Sequence, residues 1–582
     1  MRTLSILVTA CLLIAPAAFA QDFFDVVKSG TSEQVRRALS NGANVEDRDA
    51  QGFTPLMWAA MNNPNPAIIK TLLESGAKVN DRNSTTALMW AAMSNPNPEI
   101  IRTLLDNGAN IDDRNDEGLT PLMWAAMGSS NPEIITTLLH NGARIDERNA
   151  GGITPLMWAA MRNPNPAIIR TLLDNGANID DRDGHGTTAS MWAAIGNPNP
   201  EIITTLLHNG AKIDERTTGG FTALMWAAEF NPNPGVITTL LDNGATIDDR
   251  NTGGLTPLMG AAEFNPNPEV VKTLLDKGAK VDDRDEHGTT PLMLAAMSNR
   301  NPEIAATLLQ NGARVDDRDE HGTTALMWTA KSNPNPAIIT ALLEKGPTRE
   351  ASEALWAAVK SSNAEVIAPL LENGARINYR GQDGVTPLMR AAWFNPDPQV
   401  IATLVKTGAK VGDRSKRSWT ALMYAAGFNA NPEVMTTLVE SGAVVRDRDR
   451  NGFTPLMLAS RGNPNPEVIA ILVRSGANAN DRDRNHVTSL MWAAMSNANP
   501  GVIASLVKSG ATLDDRDASG RTALMWAAVA NRNPEVIMAL LQAGANPKLK
   551  SNEGQTAFDY AAYNNSLRDS DAYAELRSGQ KS

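Results

Sequence analysis

The chain has 582 residues, is 42% apolar and 20% charged, and carries a formal net charge of −11. That balance supports a buried core and excludes a disordered chain. The acidic surplus, with most arginines next to an aspartate, argues against nucleic acid or an anionic membrane surface as partner, since either needs a basic face. A length of this order ordinarily suggests about four domains, but here a 34-residue period overrides that expectation.

In chain order, residues 1–20 read as a secretory signal peptide. Arg2 gives a positive start, Leu4 to Ala17 is mostly apolar, and Ala18-Phe19-Ala20 fits a small-x-small site cut after Ala20. The one cysteine, Cys11, lies inside this segment. Val8-Thr9-Ala10-Cys11 has a weak likeness to a lipoprotein box, yet Leu12 to Ala20 stays apolar where a polar tether belongs. The expected product is a soluble exported chain with no cysteine and so no disulfide. No later stretch is long and apolar enough to span a bilayer, so no membrane insertion follows cleavage. The expected location is the periplasm, with the extracellular medium as the alternative.

Phe24, Val26, Val27, Val35 and Leu39, followed by Gly42-Ala43, read as an N-terminal capping half unit. Repeats follow, and residues 148–181 show the pattern. Asn149-Ala150-Gly151-Gly152 is a turn. Thr154 is an N-cap and Pro155 an N1 residue, so a first helix begins there, with Leu156, Ala159 and Ala160 on one face. Asn163-Pro164-Asn165-Pro166 ends it, because proline forces its predecessor extended, and starts the next helix with Asn165 as cap. Ile168, Ile169, Leu172 and Leu173 form an apolar stripe, and Gly176 suits the left-handed C′ position.

This unit closely resembles the ankyrin repeat. Gly152-Ile153-Thr154-Pro155-Leu156, Ala159-Ala160, Leu172-Leu173 and Gly176-Ala177 carry the resemblance. It departs from the family pattern in two ways. Methionine, as at Met157, stands where the motif has histidine, removing a side-chain bond to the turn. One extra residue in the inter-helix loop lengthens the period to 34. The resemblance covers nearly all of residues 22–579 and implies a mainly α solenoid: helix-loop-helix units joined by β-hairpin-like turns, about 17 with caps.

Sixteen Thr- or Ser-led units run from Thr54 to Thr556, and residues 551–579 read as the closing cap. The turn at Asn83-Ser84-Thr85 is two residues short. A larger clip falls at Gly346-Pro347, where Ser352 follows Thr324 by only 28 residues. Pro369 in the second helix of that unit favours a kink. A bend or weakened seam is therefore expected over 346–372, giving stacks 21–346 and 347–582; the alternative is one continuous solenoid over 21–582.

Three ladders recur. Ten of the 12 tryptophans, among them Trp124, Trp158 and Trp192, share one position, read as inter-repeat packing at a partly exposed site. Gly260, Leu294, Arg390 and Leu458 interrupt it. The arginines typified by Arg148 and Arg182 read as a structural ion-pair network. The position after Ala-Ala varies, however, and its follower is phenylalanine at 230, 264, 394 and 428. The resemblance implies that this end of the first helix lines a concave binding groove. Met61, Met93, Met127 and Met161, with Phe230, Phe264, Trp393, Phe394 and Phe428, are the candidate protein-binding residues, because exposed apolar stripes need a reason.

No chemistry-bearing constellation accompanies them. His140 and His208 suit helix C-termini, and His185, His287 and His321 sit on turn tips one unit or more apart. Asp112-Asp113 and Asp282-Asp283 recur as scaffold and not as a calcium loop. No phosphate loop, no G-x-S-x-G and no nucleophile–base set is found, so no catalytic residue, metal or cofactor is expected. The expected function is a monomeric, non-catalytic scaffold that binds a protein in the bacterial envelope; the alternative is a secreted effector docking a protein of a foreign cell.

Overall fold

The computed structural model describes residues 23–333, 335–345, 348–360, 364–381 and 383–579. The signal segment 1–20, Cys11 and the clip at Gly346-Pro347 lie outside the described residues. The chain divides into two compact units: residues 23–295 with Gln310–Ala313, and Ala296–Leu309 with residues 314–579.

Each unit is built from the same two-helix element. In the first, the Thr154 hydroxyl accepts from Met157 N and Pro155 opens the helix Pro155–Arg162. Asn163 caps its C-terminus in extended backbone. Two residues later Asn165 accepts from Ala167 N to start Pro166–Asp174. That helix closes in a Schellman arrangement, with Gly176 at φ +92°, Ala177 N donating to Leu172 O and Gly176 N to Leu173 O, both at 3.0 Å. Ile168, Ile169 and Leu172 are fully buried, each contributing about 1.5–3 kcal/mol. The second unit repeats this with Thr454, Pro455–Gly462 and Pro466–Arg474.

The methionine that stands in the histidine position is part of the core, with Met157 at 1% exposure. At Met259, Met389 and Met525 its thioether accepts from the cap residue's N–H at 3.5 Å, a weak substitute for the missing side-chain bond. The turns between units close on short bonds such as Asp183 N to Thr187 O at 3.1 Å. Among the described residues they form no strand, only an isolated bridge between Arg482 and Thr488.

The inter-helix loop carries a ladder of buried asparagines. Asn163, 1% exposed, donates through Nδ2 to Ala126 O at 3.0 Å and Ser129 O at 2.9 Å of the preceding repeat, while its Oδ1 accepts from Asn165 N. Asn463 does the same to Ala426 O and Asn429 O in the second unit. The next asparagine also reaches back: Asn165 Nδ2 donates to Ser130 O at 3.0 Å. The tetrapeptide that breaks one helix and starts the next thus also ties each repeat to its predecessor.

The arginine ladder is structural, and its partner is not the adjoining acid. Arg148 Nη1 donates to Gly152 O and, across the repeat, to Arg182 O, while Nη2 pairs with Asp181 at 2.8 Å. Arg448 repeats the pattern with Gly452 O, Arg482 O and Asp481.

At the clipped repeat the chain begins its first helix early. Thr348–Ala358 runs through Ser352, whose hydroxyl accepts from Arg376 N at 2.8 Å in place of a cap. Arg318 pairs with Glu353 at 3.0 Å, a helical carboxylate standing in for the absent hairpin acid. The second helix shrinks to a 3-10 turn, Ala364–Val366, and the six residues Ile367–Glu372. Pro369 therefore sits in a first turn, where amide N–H groups have no intrahelical partner, so it starts a short helix where the sequence had implied a kink in a longer one.

Candidate functional site

The first helix of each repeat ends in a surface whose make-up changes from repeat to repeat. Its floor is the Ala-Ala pair, fully buried from Ala59-Ala60 to Ala527-Ala528 wherever both alanines are present, except at the clipped repeat, where Ala357 is half-buried. Beyond that pair the side chains point two ways. Met61, Met93 and Met127 are half-buried. Met161 is buried, at 9% exposure, which corrects its place in an exposed stripe. A Cβ on Gly196 would lie 2.9 Å from its Cγ, so Met161 fills the space that the neighbouring glycine leaves open.

Phe230 and Phe264 are exposed, at 49% and 51%, and their rings stack 6.4 Å apart with 17° between planes. Behind them run Trp226, 5.7 Å from Phe230, and Phe221, 4.6 Å from Trp226. In the second unit Phe394 and Phe428 are exposed and Trp393 is half-buried between them, 4.6 Å and 5.3 Å from their rings. Tyr424 and Trp419 extend this cluster. Lys360 lies 5.0 Å over the Phe394 ring. The structure thus brings Trp393, Phe394 and Phe428 together, and separately pairs Phe230 with Phe264.

Glu229, which occupies the variable position after Ala227-Ala228, is buried at 6% exposure. A Cβ on Gly260 would sit 2.6 Å from its Cγ and 3.0 Å from its Oε1. The carboxylate lies where Gly260 interrupts the tryptophan ladder. It has neither a hydrogen-bond donor nor an ion-pair partner among the described residues. Burial, and secondarily the charge of Glu263, pushes its pKa from 4.5 up to about 7. Sequence reasoning noted Glu229 as variable and Gly260 as a gap; only the repeat register, one unit minus three residues, brings them into contact.

The tryptophan ladder has its own rule. Where the turn carries aspartate, the indole N–H is bonded: Trp58 to Asp49 at 2.8 Å, Trp192 to Asp183 at 3.1 Å, Trp492 to Asp483 at 3.2 Å. Where the turn carries Asn83, Asn115, Asn149 or Thr217, the Nε1 of Trp90, Trp124, Trp158 or Trp226 is buried without a partner. The asparagine Oδ1 is taken by turn amides, as Asn149 by Gly151 N and Ile153 N, which leaves its amide nitrogen on the indole side, donor against donor.

Stacked two-helix units with Thr-Pro caps and glycine-closed second helices define a repeat solenoid. The family profile for ankyrin repeats (three copies) matches in successive stretches from 23–115 to 484–572 that together leave no gap, and the chain belongs to the ankyrin-repeat family. A search of curated proteins found no match. Ankyrin repeats are in general protein-interaction modules without catalysis, and no enzymatic family is indicated. Among the described residues no cluster of three His, Cys, Asp or Glu could hold a metal ion, and no helix is long and apolar enough to cross a membrane.

Proposed function

We propose that the chain is a monomeric scaffold of the bacterial envelope that recognises a protein partner through the variable ends of its first helices. The observation that carries this reading is the pair of exposed aromatic clusters, Phe230/Phe264 and Trp393/Phe394/Phe428, set at one register of the repeat. A repeat that folds on its recurring Thr, Leu, Ala-Ala and Gly positions needs none of these rings in order to fold. Exposed aromatic side chains anchored in a rigid frame are what interface hot spots are made of. The leader-like residues 1–20 support export, and the periplasm is the proposed compartment.

The test is recovery of partners from periplasmic extract on immobilised wild type and on a Phe230→Ala/Phe264→Ala/Trp393→Ala/Phe394→Ala variant. Loss of specific partners by the variant supports the aromatic face; equal recovery of every partner by both assigns binding elsewhere. Fractionation of native cells places the protein: retention in the periplasm supports a resident scaffold, and accumulation in the medium favours an effector released toward other cells.

A further inference from the structure

The Phe230/Phe264 cluster has a chemistry that the other aromatic sites lack. Elsewhere the chain lays its own cations over its aromatic rings: Lys28 over Trp58 at 4.1 Å, Arg390 over Trp356 at 3.5 Å, Arg521 over Trp526 at 3.8 Å, Lys360 over Phe394 at 5.0 Å. At Phe230/Phe264 the two positions that precede the rings are both glutamates, Glu229 and Glu263, and Gly260 takes the place of an indole. The result is a patch in which two stacked rings adjoin one carboxylate almost wholly buried against Gly260 and a second close enough to raise its proton affinity. A carboxylate removed from water with no donor or cation beside it is costly, and this one persists without a partner among the described residues.

We propose that this patch receives an arginine side chain from the protein partner, its guanidinium stacking on Phe230 and Phe264 and donating to the Glu229 and Glu263 carboxylates. This rests on the reading of the aromatic face as a protein-binding surface. Arginine fits better than lysine because its plane matches the stacked rings and its fork of five N–H donors can serve two carboxylates at once. An added cation also removes the repulsion between the two acids, so the site gains most when both are ionised. Few other charges face Glu229. The neighbouring first helix Ala189–Gly196 carries none, Pro257–Phe264 brings only Glu263, and in Pro234–Asp242 the one charged residue, Asp242, pairs with Lys277 at 2.7 Å. Arginine binding is therefore expected to strengthen as pH rises through the region near 7 where Glu229 ionises.

Fluorescence anisotropy with the full chain and labelled peptides Ac-Ala-Leu-X-Leu-Ala-NH2, where X is arginine, lysine or norleucine, tests this. The wild type at pH 8 is expected to prefer arginine to norleucine by about tenfold, with lysine between, and the preference is expected to shrink at pH 6. Glu229→Gln leaves the shape and removes a buried charge, so it folds; it is expected to abolish most of the preference while norleucine binding stays. Phe230→Ala/Phe264→Ala is expected to weaken all three peptides. Equal binding of arginine and norleucine, lost together in the phenylalanine variant, overturns the arginine site and leaves the aromatic face standing. An arginine preference that survives Glu229→Gln overturns the role of the acids. Binding indifferent to the phenylalanines, or none up to about 1 mM, overturns the site and the aromatic face together.

Discussion

Single residues in this chain show how little a repeat tolerates before a buried group is stranded. The turn residue before a ladder tryptophan, nine positions upstream in a full-length turn and seven upstream of Trp90, decides whether the indole N–H is bonded, as Asp183 bonds Trp192 and Asn149 fails to bond Trp158. Asn149→Asp supplies an acceptor without changing shape, because Asp183 already holds the same two turn amides in its own repeat. A gain of about 1–2 kcal/mol is expected, read as a higher urea midpoint with unchanged slope; the reverse change, Asp183→Asn, is expected to lower it. Glu229 gives a pH-dependent case. Its folded pKa of about 7 lies above its ordinary 4.5, so the folded chain binds the extra proton and stability falls as pH rises from 4.5 through 7. Glu229→Gln removes that loss. The variant is expected to match the wild type near pH 4.5 and to exceed it by about 1–3 kcal/mol at pH 8, measured as melting temperatures across that range. A constant difference between the two at every pH assigns the effect to packing and not to the proton.

At the scale of the element, nearly everything local was legible in the sequence: threonine caps, prolines at N1, the Asn-Pro-Asn-Pro break and the glycine that closes each second helix. These are decided within a few residues, and the chain states them about sixteen times. What stayed hidden acts between repeats. Asn163 reads as a helix breaker, yet its amide bonds carbonyls 34 and 37 residues back. The arginine ladder is the exception: in-register units place each arginine between carboxylates of adjacent hairpins, and Arg148 pairs with Asp181 of the following repeat. Met161 reads as exposed because its position varies between repeats, and is buried with its Cγ against the space beside Gly196. The aromatic candidates are legible only as positions: periodicity locates a helix end whose side chain changes from repeat to repeat. One repeat offers a direct test of the asparagine ladder. Ser129 stands in the asparagine position and its hydroxyl bonds only locally, to Asn131. Ser129→Asn restores a donor that can reach the carbonyls of the preceding repeat, and about 1–2 kcal/mol of added stability is expected. Slower amide exchange confined to the repeats either side of residue 129 checks it. An unchanged or faster exchange there means that the ladder is a consequence of stacking and not a cause.

For the chain as a whole, the stability of a stack is the sum of what each repeat contributes and what each neighbouring pair adds, so a thin interface marks where cooperativity gives way. Within the second unit the helix Thr348–Ala358 packs closely on Ala325–Ser332 but only sparsely on the next first helix, Pro387–Phe394. A few polar contacts span that step. Arg390 lies 3.5 Å over the Trp356 ring and donates to Trp356 O at 3.0 Å, Trp356 Nε1 donates to Val385 O at 3.1 Å, and Asn395 Nδ2 donates to Val359 O at 3.1 Å. Burial lowers the Arg390 pKa to about 10, which still leaves the guanidinium charged at neutral pH and able to hold both its ring and its carbonyl. The thin step thus lies between Thr348–Ala358 and Pro387–Phe394, one repeat beyond the 346/347 boundary read from the sequence, and the stretches of the second unit on either side of it are proposed to act as separable cooperative bodies coupled through this contact set. Arg390→Ala removes the cation from the ring and leaves the Trp356 carbonyl unbonded, a loss of about 2 kcal/mol concentrated at one interface. Hydrogen exchange is expected to show faster opening over Thr348–Ala358 and Ile367–Glu372, while protection beyond Pro455 stays as in the wild type. A loss spread evenly from residue 296 to 579 means that the second unit opens as one body, and that the clipped repeat is a shortened turn with no seam in it.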